Sequence, residues 1–511
     1  MSGRLIRLRP VVHASPAPSG LHVRGWASSF TLKGGTGIWK LWEQVAPALA
    51  DGVEDLSVPP GAPAGVATAL ELLFAQLREH DMLVEVPAEW PDAPPDDIVR
   101  WLESVASDPQ WTWARLRATR FVVGGSGPLA AAAVRAITAT GLTAIAEPGH
   151  GLVVTAGEFA VTAGCSADAG FVVHPGPLAS VLLDAAAVSA RLGLGAGEPP
   201  EVLAALVGSA AAHRVLCAAG GLPDPAGEFI THSADAPADA PQHAVFVARL
   251  DPLRASYHPW IPAARPSAPT ADPARALAAL TDPELGPVPE PSPGDLPQLP
   301  ANIVRAGGTL GVGTTLDGAK RDAAVRALTK PGVSAGLDRT HALGNALRAA
   351  AHARLADLPA LDLSEEDWSG DATARRWWKA LTLRFGVPAT IQVTRLDEAV
   401  VHAEIRDGER VLAWAVEAEP ADAVAFAALA ATGALQAGEP GEFWLSGAAP
   451  ILAGPDVSWV TRDWHWPADV RSREDALQAG LFGLLNLAAA PILADAEGYV
   501  RCPIPVLEAV R

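Results

Sequence analysis

The sequence predicts an α/β protein with three parts: an N-terminal module of three strands plus helices, a domain built on a strand, a glycine turn and a helix, and a C-terminal α+β domain. Three observations predict this class. In residues 1–86, short apolar runs precede two segments in which apolar residues recur at helical spacing. A Gly-Ser-Gly turn joins an apolar run to a small-residue helix near residue 125. After a proline-rich passage, helical and strand patterns alternate to the C-terminus.

Composition restricts the class of function. The 511 residues are 49% hydrophobic, which is enough for several cores, yet no uninterrupted apolar run reaches the ~18 residues of a membrane span. With a net charge of −19, the protein is not expected to bind the phosphate backbone of a nucleic acid. The first twenty residues lack the apolar core of a signal peptide. We therefore expect a cytoplasmic protein with no membrane and no nucleic-acid partner.

The cysteines indicate neither a disulfide framework nor a sulfur-rich zinc site. Cys165, Cys217 and Cys502 are far apart and form no CxxC pair. Cys165 and Cys217 lie among small apolar residues with no basic neighbour in sequence, so we expect buried thiols rather than nucleophiles. The sequence predicts no catalytic residue and no metal site.

Residues 1–90 predict the first domain. Strands are expected at residues 5–12, 21–26 and 29–32, separated first by SPAPSG, and two helical stripes follow, the first ending at Asp51–Gly52. The segments GTGIWKLWEQVAPALADG and ATALELLFAQLREHDMLVE resemble the precursor-recognition element of enzymes that modify ribosomally made peptides. This is a winged-helix-like module similar to PqqD, and a generic winged helix is the alternative.

The resemblance implies that this module binds the leader of a precursor peptide. The leader would pair with the strand at 29–33 and pack its apolar side chains against the second helix, while Lys33 or Arg78 would meet acidic leader residues. Some apolar members of the set are expected in the core, because roughly two of three positions in such a stripe are interior. The predicted leader-binding residues are Ser29, Phe30, Thr31, Leu32, Lys33, Leu70, Leu73, Phe74, Leu77 and Arg78.

Residues 100–265 predict the second domain. A strand at 121–123 meets the turn Gly125-Ser-Gly127-Pro-Leu-Ala130, and a small-residue helix leads to a strand ending at Glu147. In one interpretation the turn holds phosphate at a helix N-terminus and Glu147 binds a ribose hydroxyl. In the other, the glycines only allow the strand to turn tightly into the helix.

Downstream segments resemble ThiF-type adenylating enzymes: VLAALVGSAAAHRVLCAAGGLPDPAGEFITH and SYHPWIP. The family's Asp-Asn pair for ATP is missing from ADAGFVVHPGP, and the paired zinc cysteines are missing near His258–Pro259–Trp260. The resemblance therefore implies a degenerate Rossmann-type domain in which Gly125, Gly127, Ala130 and Glu147 are vestigial nucleotide-binding residues.

Residues 266–294 predict a proline-rich linker, and residues 295–511 the third domain. The segments GGTLGVGTTLDGAKRDAAVRALTK, SAGLDRTHALGNALRAAAHARLADL and RRWWKALTLRFGVPATIQVT resemble the YcaO family, whose active members use ATP to form azolines. Those members hold magnesium with helical glutamates. The matching helices here carry alanine or arginine instead, which implies a degenerate YcaO-like domain.

The remaining acidic and aromatic residues of this domain have structural explanations. Asp317, Asp322 and Asp338 are expected at helix caps or on solvated faces. Trp464, His465 and Trp466 predict an aromatic cluster in the C-terminal region.

The order of the three parts resembles the ocin-ThiF-like, or F-type, partner proteins of thiazole- and oxazole-modified peptide pathways, including thiopeptides. The resemblance implies a protein that binds a leader peptide and presents its core to a separate YcaO cyclodehydratase, with ATP and magnesium on that partner and no cofactor here. A homodimer is a further expectation, from apolar helix faces at 320–355 and 421–437 that equally suit an internal core. The alternatives are a fused ATP-dependent cyclodehydratase, a ThiF-type adenylating enzyme and a nitroreductase-like flavin dehydrogenase.

Overall fold

The structure is a computed structural model in which the chain forms two compact units. The first comprises residues 1–230 and 244–257, and the second comprises residues 231–243 and 258–511. Trp464 and His465, with the aromatic cluster expected around them, lie outside the described residues. The described residues are 3–26, 28–58, 60–90, 92–195, 197–228, 243–262, 273–439, 441–451, 466–487, 491–496 and 499–505.

The elements of the first unit alternate between strands and helices. Its strands are β1 Arg4–Leu8, β2 His13–Ala17, β3 Gly20–Arg24, β4 Ser29–Lys33, β5 Leu83–Pro87, β6 Phe121–Gly124, β7 Ala144–Glu147, β8 Leu152–Ala156, β9 Phe159–Cys165, β10 Ala169–Val172, β11 Ala244–Arg249 and β12 Arg254–Pro259, the last of which runs into the second unit. Its helices are α1 Gly35–Asp51, α2 Ala64–Glu79, α3 Asp96–Val105, α4 Pro109–Ala118, α5 Gly127–Ala139, α6 Leu178–Leu192 and α7 Glu201–Gly220.

The N-terminal module contains a three-stranded antiparallel sheet in the order β2-β3-β4, and β1 pairs with β5. Both predicted helices are present, and α1 ends at Asp51 as predicted, because Gly52 follows at φ +105. The first strand, predicted over 5–12, ends at Leu8, and the first three residues of SPAPSG, expected to separate two strands, belong to β2. Pro16 fits there because β2 is an edge strand, where a missing N–H breaks few ladder bonds.

The second part of this unit is a seven-stranded sheet in the order β12-β11-β10-β9-β8-β6-β7. The predicted strand, helix and strand between residues 121 and 147 are confirmed, and α5 connects the parallel strands β6 and β7. Strands β8 to β11 pair antiparallel, because short turns join several of them in hairpins. The expected Rossmann topology is therefore limited to one strand–helix–strand unit.

Helix α7 packs against several strands of this sheet. By length and composition it is apolar enough to cross a membrane, although polar residues interrupt its apolar run. In the structure, 61% of its apolar window is buried, and it packs against α5 and β9. Its Arg214 is fully buried and pairs with Asp224. These contacts are those of a core helix.

The second unit is also mixed in secondary structure. Its strands are β13 Asn302–Ala306, β14 Thr309–Gly313, β15 Val333–Gly336, β16 Leu361–Asp362, β17 Thr390–Asp397, β18 Val400–Asp407, β19 Arg410–Glu417, β20 Phe443–Trp444, β21 Ala494–Ala496 and β22 Tyr499–Pro503. Its α-helices are α8 Pro273–Leu280, α9 Leu316–Leu328, α10 Arg339–Ala353, α11 Glu366–Ser369, α12 Ala372–Lys379, α13 Pro420–Gln436, α14 Trp466–Arg471 and α15 Glu474–Leu484.

A five-stranded sheet in the order β16-β17-β18-β19-β20 organises the second unit. Helix α13 packs against β18 and β19 and is buried along most of its length, so its apolar face lies in the internal core. Helix α8 falls inside the segment expected to be a linker, yet Leu280 and Val288 are buried against α9 and β13. This part of the segment packs against the domain because Leu280 and Val288, which lie between its prolines, supply apolar surface.

Candidate functional site

The first candidate site is the free edge of strand β4. The strand has β3 on one side and no strand partner on the other among the described residues. Its side chains alternate, with Ser29, Thr31 and Lys33 exposed and Phe30 and Leu32 buried. An unpaired edge with short polar side chains can accept an added strand.

The direction of the backbone groups follows from the pairing pattern. Gly25 N–H donates to the Ser28 carbonyl, and Gly34 N–H donates to the Ser19 carbonyl, so both are hydrogen-bonded pairs of the β3–β4 ladder. Because such pairs alternate along an antiparallel ladder, Phe30 and Leu32 face β3 with their backbone groups. The N–H and C=O groups of Ser29, Thr31 and Lys33 consequently point towards the free edge.

The apolar residues predicted to contact a leader lie in the module core. Phe30 and Leu32 share one buried cluster with the α2 stripe, and the Phe30 ring stacks on His80 with 5.1 Å between centroids. The polar members of the predicted set, together with Arg78, are exposed. The site available to a ligand is therefore the backbone edge and its polar side chains. The buried members of the predicted set are Phe30, Leu32, Leu70, Leu73, Phe74 and Leu77.

The glycine turn after β6 is closed by another loop of the same unit. Gly125 has φ +138, its N–H donates to the Glu147 carbonyl at 2.9 Å, and a Cβ added there would overlap the Gly151 carbonyl oxygen. The Ala130 side chain is buried beside it, whereas the Glu147 side chain is about half exposed and lies 3.8 Å from Arg120. The backbone of the 147–151 segment approaches Gly125 so closely that a side chain would not fit there, which explains the glycine at this position. Gly127, by contrast, has open space around its Cα.

The interior of the second unit holds a charged network that the sequence analysis missed. Arg348 of α10 is fully buried and donates to both oxygens of Glu474 at 2.7 Å and to Glu417 at 2.9 Å. Its Nε donates to the Val416 carbonyl at 2.8 Å. The two carboxylates come from β19 and α15, 69 and 126 residues away in sequence. Partners so distant in sequence share no local helical pattern, so the sequence alone does not reveal them.

Three further carboxylates of this unit also pair with arginines. Asp322 pairs with Arg326 at 2.8 Å, and Asp338, the predicted cap of α10, accepts from the His341 N–H and pairs with Arg471. Asp422 pairs with Arg473. Asp317 lies in the first turn of α9, where Thr315 rather than an aspartate is the cap. Asp322, Asp338 and Asp422 are therefore each paired with a guanidinium group.

A cavity of about 100 Å³ lies beside the Asp322–Arg326 pair. Arg321, Arg326, Trp444 and Asn345 are among its lining residues, and Asn345 Oδ1 has no hydrogen-bond partner among the described residues. Burial, reinforced by Arg321, lowers the pKa of the lining residue His341 well below its usual range. The imidazole is therefore neutral at physiological pH. The charged lining residues are Asp317, Asp322, Arg321 and Arg326, two of each sign.

Glu417 makes the stability of the second unit depend on pH. Burial raises its pKa from about 4.5 to about 7, although Arg348 opposes the change. The folded chain thus binds the Glu417 proton more tightly than the unfolded chain does. The stabilisation of the folded state by this proton is fully present below pH 4.5 and is lost as pH rises through about 7. We expect the unfolding free energy of E417Q to fall less between pH 5 and pH 8 than that of the parent.

Urea unfolding at four pH values across this range tests the expectation. The exposed Glu409 of the β18–β19 turn supplies the matched control, E409Q, whose pH dependence should equal that of the parent. Equal slopes for E417Q and the parent would contradict the assignment.

The cysteines are confirmed as free thiols in poorly reactive surroundings. Cys217 and Cys502 are buried, and Cys165 is partly buried. Burial raises the pKa of Cys217 to about 12 and that of Cys165 and Cys502 to about 11. Thiols with such values are protonated at neutral pH and are poor nucleophiles.

Comparison with known proteins gives weak similarities. Neither a protein-family model nor a curated protein matches this chain significantly. A solved heterocyclase in complex with substrate and cofactor shares 12% identity at a TM-score of 0.43, over 86% of this chain and 82% of that chain. E. coli MccB with AMPCPP and MccA shares 10% identity at a TM-score of 0.32, over 50% of this chain and 96% of its own. TM-scores of this size do not establish a common fold.

Proposed function

We propose that this chain binds the leader of a ribosomally made precursor peptide and presents its core to a separate YcaO cyclodehydratase that forms thiazoline and oxazoline rings. The observation that carries the proposal is the free edge of β4, where the backbone groups of Ser29, Thr31 and Lys33 point outward. An extended leader would add to this edge as a fourth strand. Main-chain hydrogen bonds would supply affinity, and Lys33 would favour acidic leader residues.

Tethering explains how a binding protein accelerates another subunit's reaction. A leader held at β4 raises the effective concentration of the downstream Cys, Ser and Thr side chains at the partner's active site. In the second unit, the buried carboxyl groups of Glu417 and Glu474 are hydrogen-bonded to the guanidinium of Arg348, so they are not free to hold the magnesium of a bound ATP. ATP and magnesium belong to the partner in this proposal.

Substitution of Thr31 tests the added strand directly. T31P removes an N–H at the free edge and leaves the β3 ladder intact, whereas proline at the neighbouring Leu32 would remove a bond to β3 itself. The control T31V retains the backbone N–H and a β-branched side chain. We expect T31P to weaken leader binding about tenfold or more and T31V to bind like the parent.

Fluorescence polarisation measures this with a fluorescein-labelled synthetic leader from the precursor gene beside this one. Circular dichroism shows that the variants are folded, and ATP turnover by the isolated protein is measured in parallel. Equal affinity of T31P and T31V would exclude strand addition at β4. ATP consumption that depends on the peptide would favour the fused cyclodehydratase instead.

A further inference from the structure

A cluster of two histidines and one glutamate lies outside the site proposed above. His402 and Glu404 are two residues apart on β18 and so project from the same face of the sheet, and His352 comes from the last turn of α10. Their nearest ligand atoms all lie within 4.8 Å of one another, and His352 Nδ1 is 3.0 Å from His402 Nε2. We propose that His352, His402 and Glu404 form a binding site for a zinc ion.

The donor set suits zinc. Two imidazole nitrogens and a carboxylate oxygen are three of the four ligands of a common tetrahedral zinc site with ligand distances of ~2.0–2.2 Å. Ligands at those distances stand about 3.4 Å apart. The two nitrogens, now 3.0 Å apart, must separate slightly and turn their lone pairs towards one ion, and the carboxylate oxygen, within 4.8 Å of them, must move closer. A site with three protein ligands leaves the fourth position for water or another ligand.

The orientation of His352 is fixed by groups behind it. Its Nε2 lies 3.3 Å from Glu442, whose carboxylate also accepts from Trp414 Nε1 at 2.9 Å. Because a carboxylate accepts, Nε2 carries the proton and Nδ1 presents its lone pair towards His402. The His352 ring stacks on Trp414 with 4.0 Å between centroids, and Trp414 stacks on Trp444. A histidine whose second nitrogen donates to a carboxylate is the usual outer-shell arrangement of zinc sites.

Zinc binding needs an unprotonated nitrogen on each imidazole. The lone pair of His352 Nδ1 now accepts the Nε2 proton of His402. Zinc would take the place of that proton, which moves to Nδ1 of His402.

A solvent-open cleft adjoins the cluster and gives a route of entry. Among its lining residues are His352, Glu404, Gln392 and Thr394. Arg406 also lies there, with its Nε 2.5 Å from one oxygen of Glu404. Glu404 has a second oxygen, and the Arg406 side chain is 43% exposed, so it can leave the first oxygen as the ion binds.

Zinc titration of the full chain tests the site. The protein is first stripped with a chelator and then competes with a chromophoric indicator for Zn²⁺. The ligand variants are H352Q and E404Q, and the matched control is E398Q in the exposed β17–β18 turn. We expect one Zn²⁺ per chain at micromolar or tighter affinity. Each ligand variant should weaken it about tenfold or more, and E398Q should leave it unchanged.

Two results overturn the proposal: no stoichiometric zinc binding by the parent, or affinities of H352Q and E404Q equal to that of the parent. Circular dichroism establishes that the variants fold. X-ray absorption of the zinc-loaded parent does not depend on any variant and should give two imidazole ligands with oxygen. A sulfur ligand or a single imidazole would exclude the cluster even if both variants failed to fold.

Discussion

Replacement of Arg348 by methionine is expected to destabilise the second unit by about 3–5 kcal/mol at pH 7. Methionine approximates the length of the arginine stem but leaves Glu417 and Glu474, both at most 2% exposed, without their guanidinium partner. Removing one partner of a buried ion pair costs more than the pair contributes, because the remaining charges stay desolvated. Since the remaining acids can be neutralised by protons, the deficit should shrink at pH 5.

Urea unfolding measures the deficit, and hydrogen exchange locates it in α10, β19 and α15. The exposed Arg375 supplies the matched control R375M, which should unfold like the parent. A rescue variant combines R348M with E417L and E474M. It should recover part of the loss, because it removes the buried charges but takes a carboxylate acceptor from the Gly447 N–H and from the Gln478 amide. An R348M protein within about 1 kcal/mol of the parent would show that the network is dispensable.

Local patterns in the sequence predicted local structure well. The two helical stripes of the N-terminal module gave α1 and α2, and the glycine after Asp51 ended α1. The strand, turn and helix around Gly125 were also visible, because periodicity and glycine spacing are properties of neighbouring residues. The antiparallel remainder of that sheet was not visible, since strand order depends on pairing between distant segments.

The candidate sites show the same division. The alternation in β4 was readable from Ser29–Lys33, but the strand's position at an edge and the direction of its backbone groups required the ladder. His402 and Glu404 share a strand face by their spacing alone, yet nothing local places His352 beside them, 50 residues earlier. The carboxylates around Arg348 were overlooked for that reason. Predictions for single residues therefore succeed where neighbouring residues in the sequence decide the structure. They fail where the fold brings distant segments together.

Replacement of Gly125 by alanine is expected to destabilise the first unit by about 2–4 kcal/mol, with or without nucleotide. The added Cβ meets two penalties. The backbone at φ +138 disfavours any side chain, and the methyl group overlaps the Gly151 carbonyl. The loop carrying that carbonyl is held close to the turn, because the Gly125 N–H donates to the Glu147 carbonyl at 2.9 Å.

Substitution of the second glycine of the turn distinguishes a packing role of the turn from a phosphate-binding role. Gly127 has φ +78 but nothing within 4 Å of an added Cβ, so G127A should cost only about 1–2 kcal/mol of conformational strain. Urea unfolding compares the two variants, and thermal unfolding with and without ATP examines the phosphate site. If ATP raises the melting temperature of the parent and G127A abolishes the shift, the turn binds nucleotide. If ATP has no effect and G125A alone is severely destabilised, the glycines are explained by the crossing of two backbones.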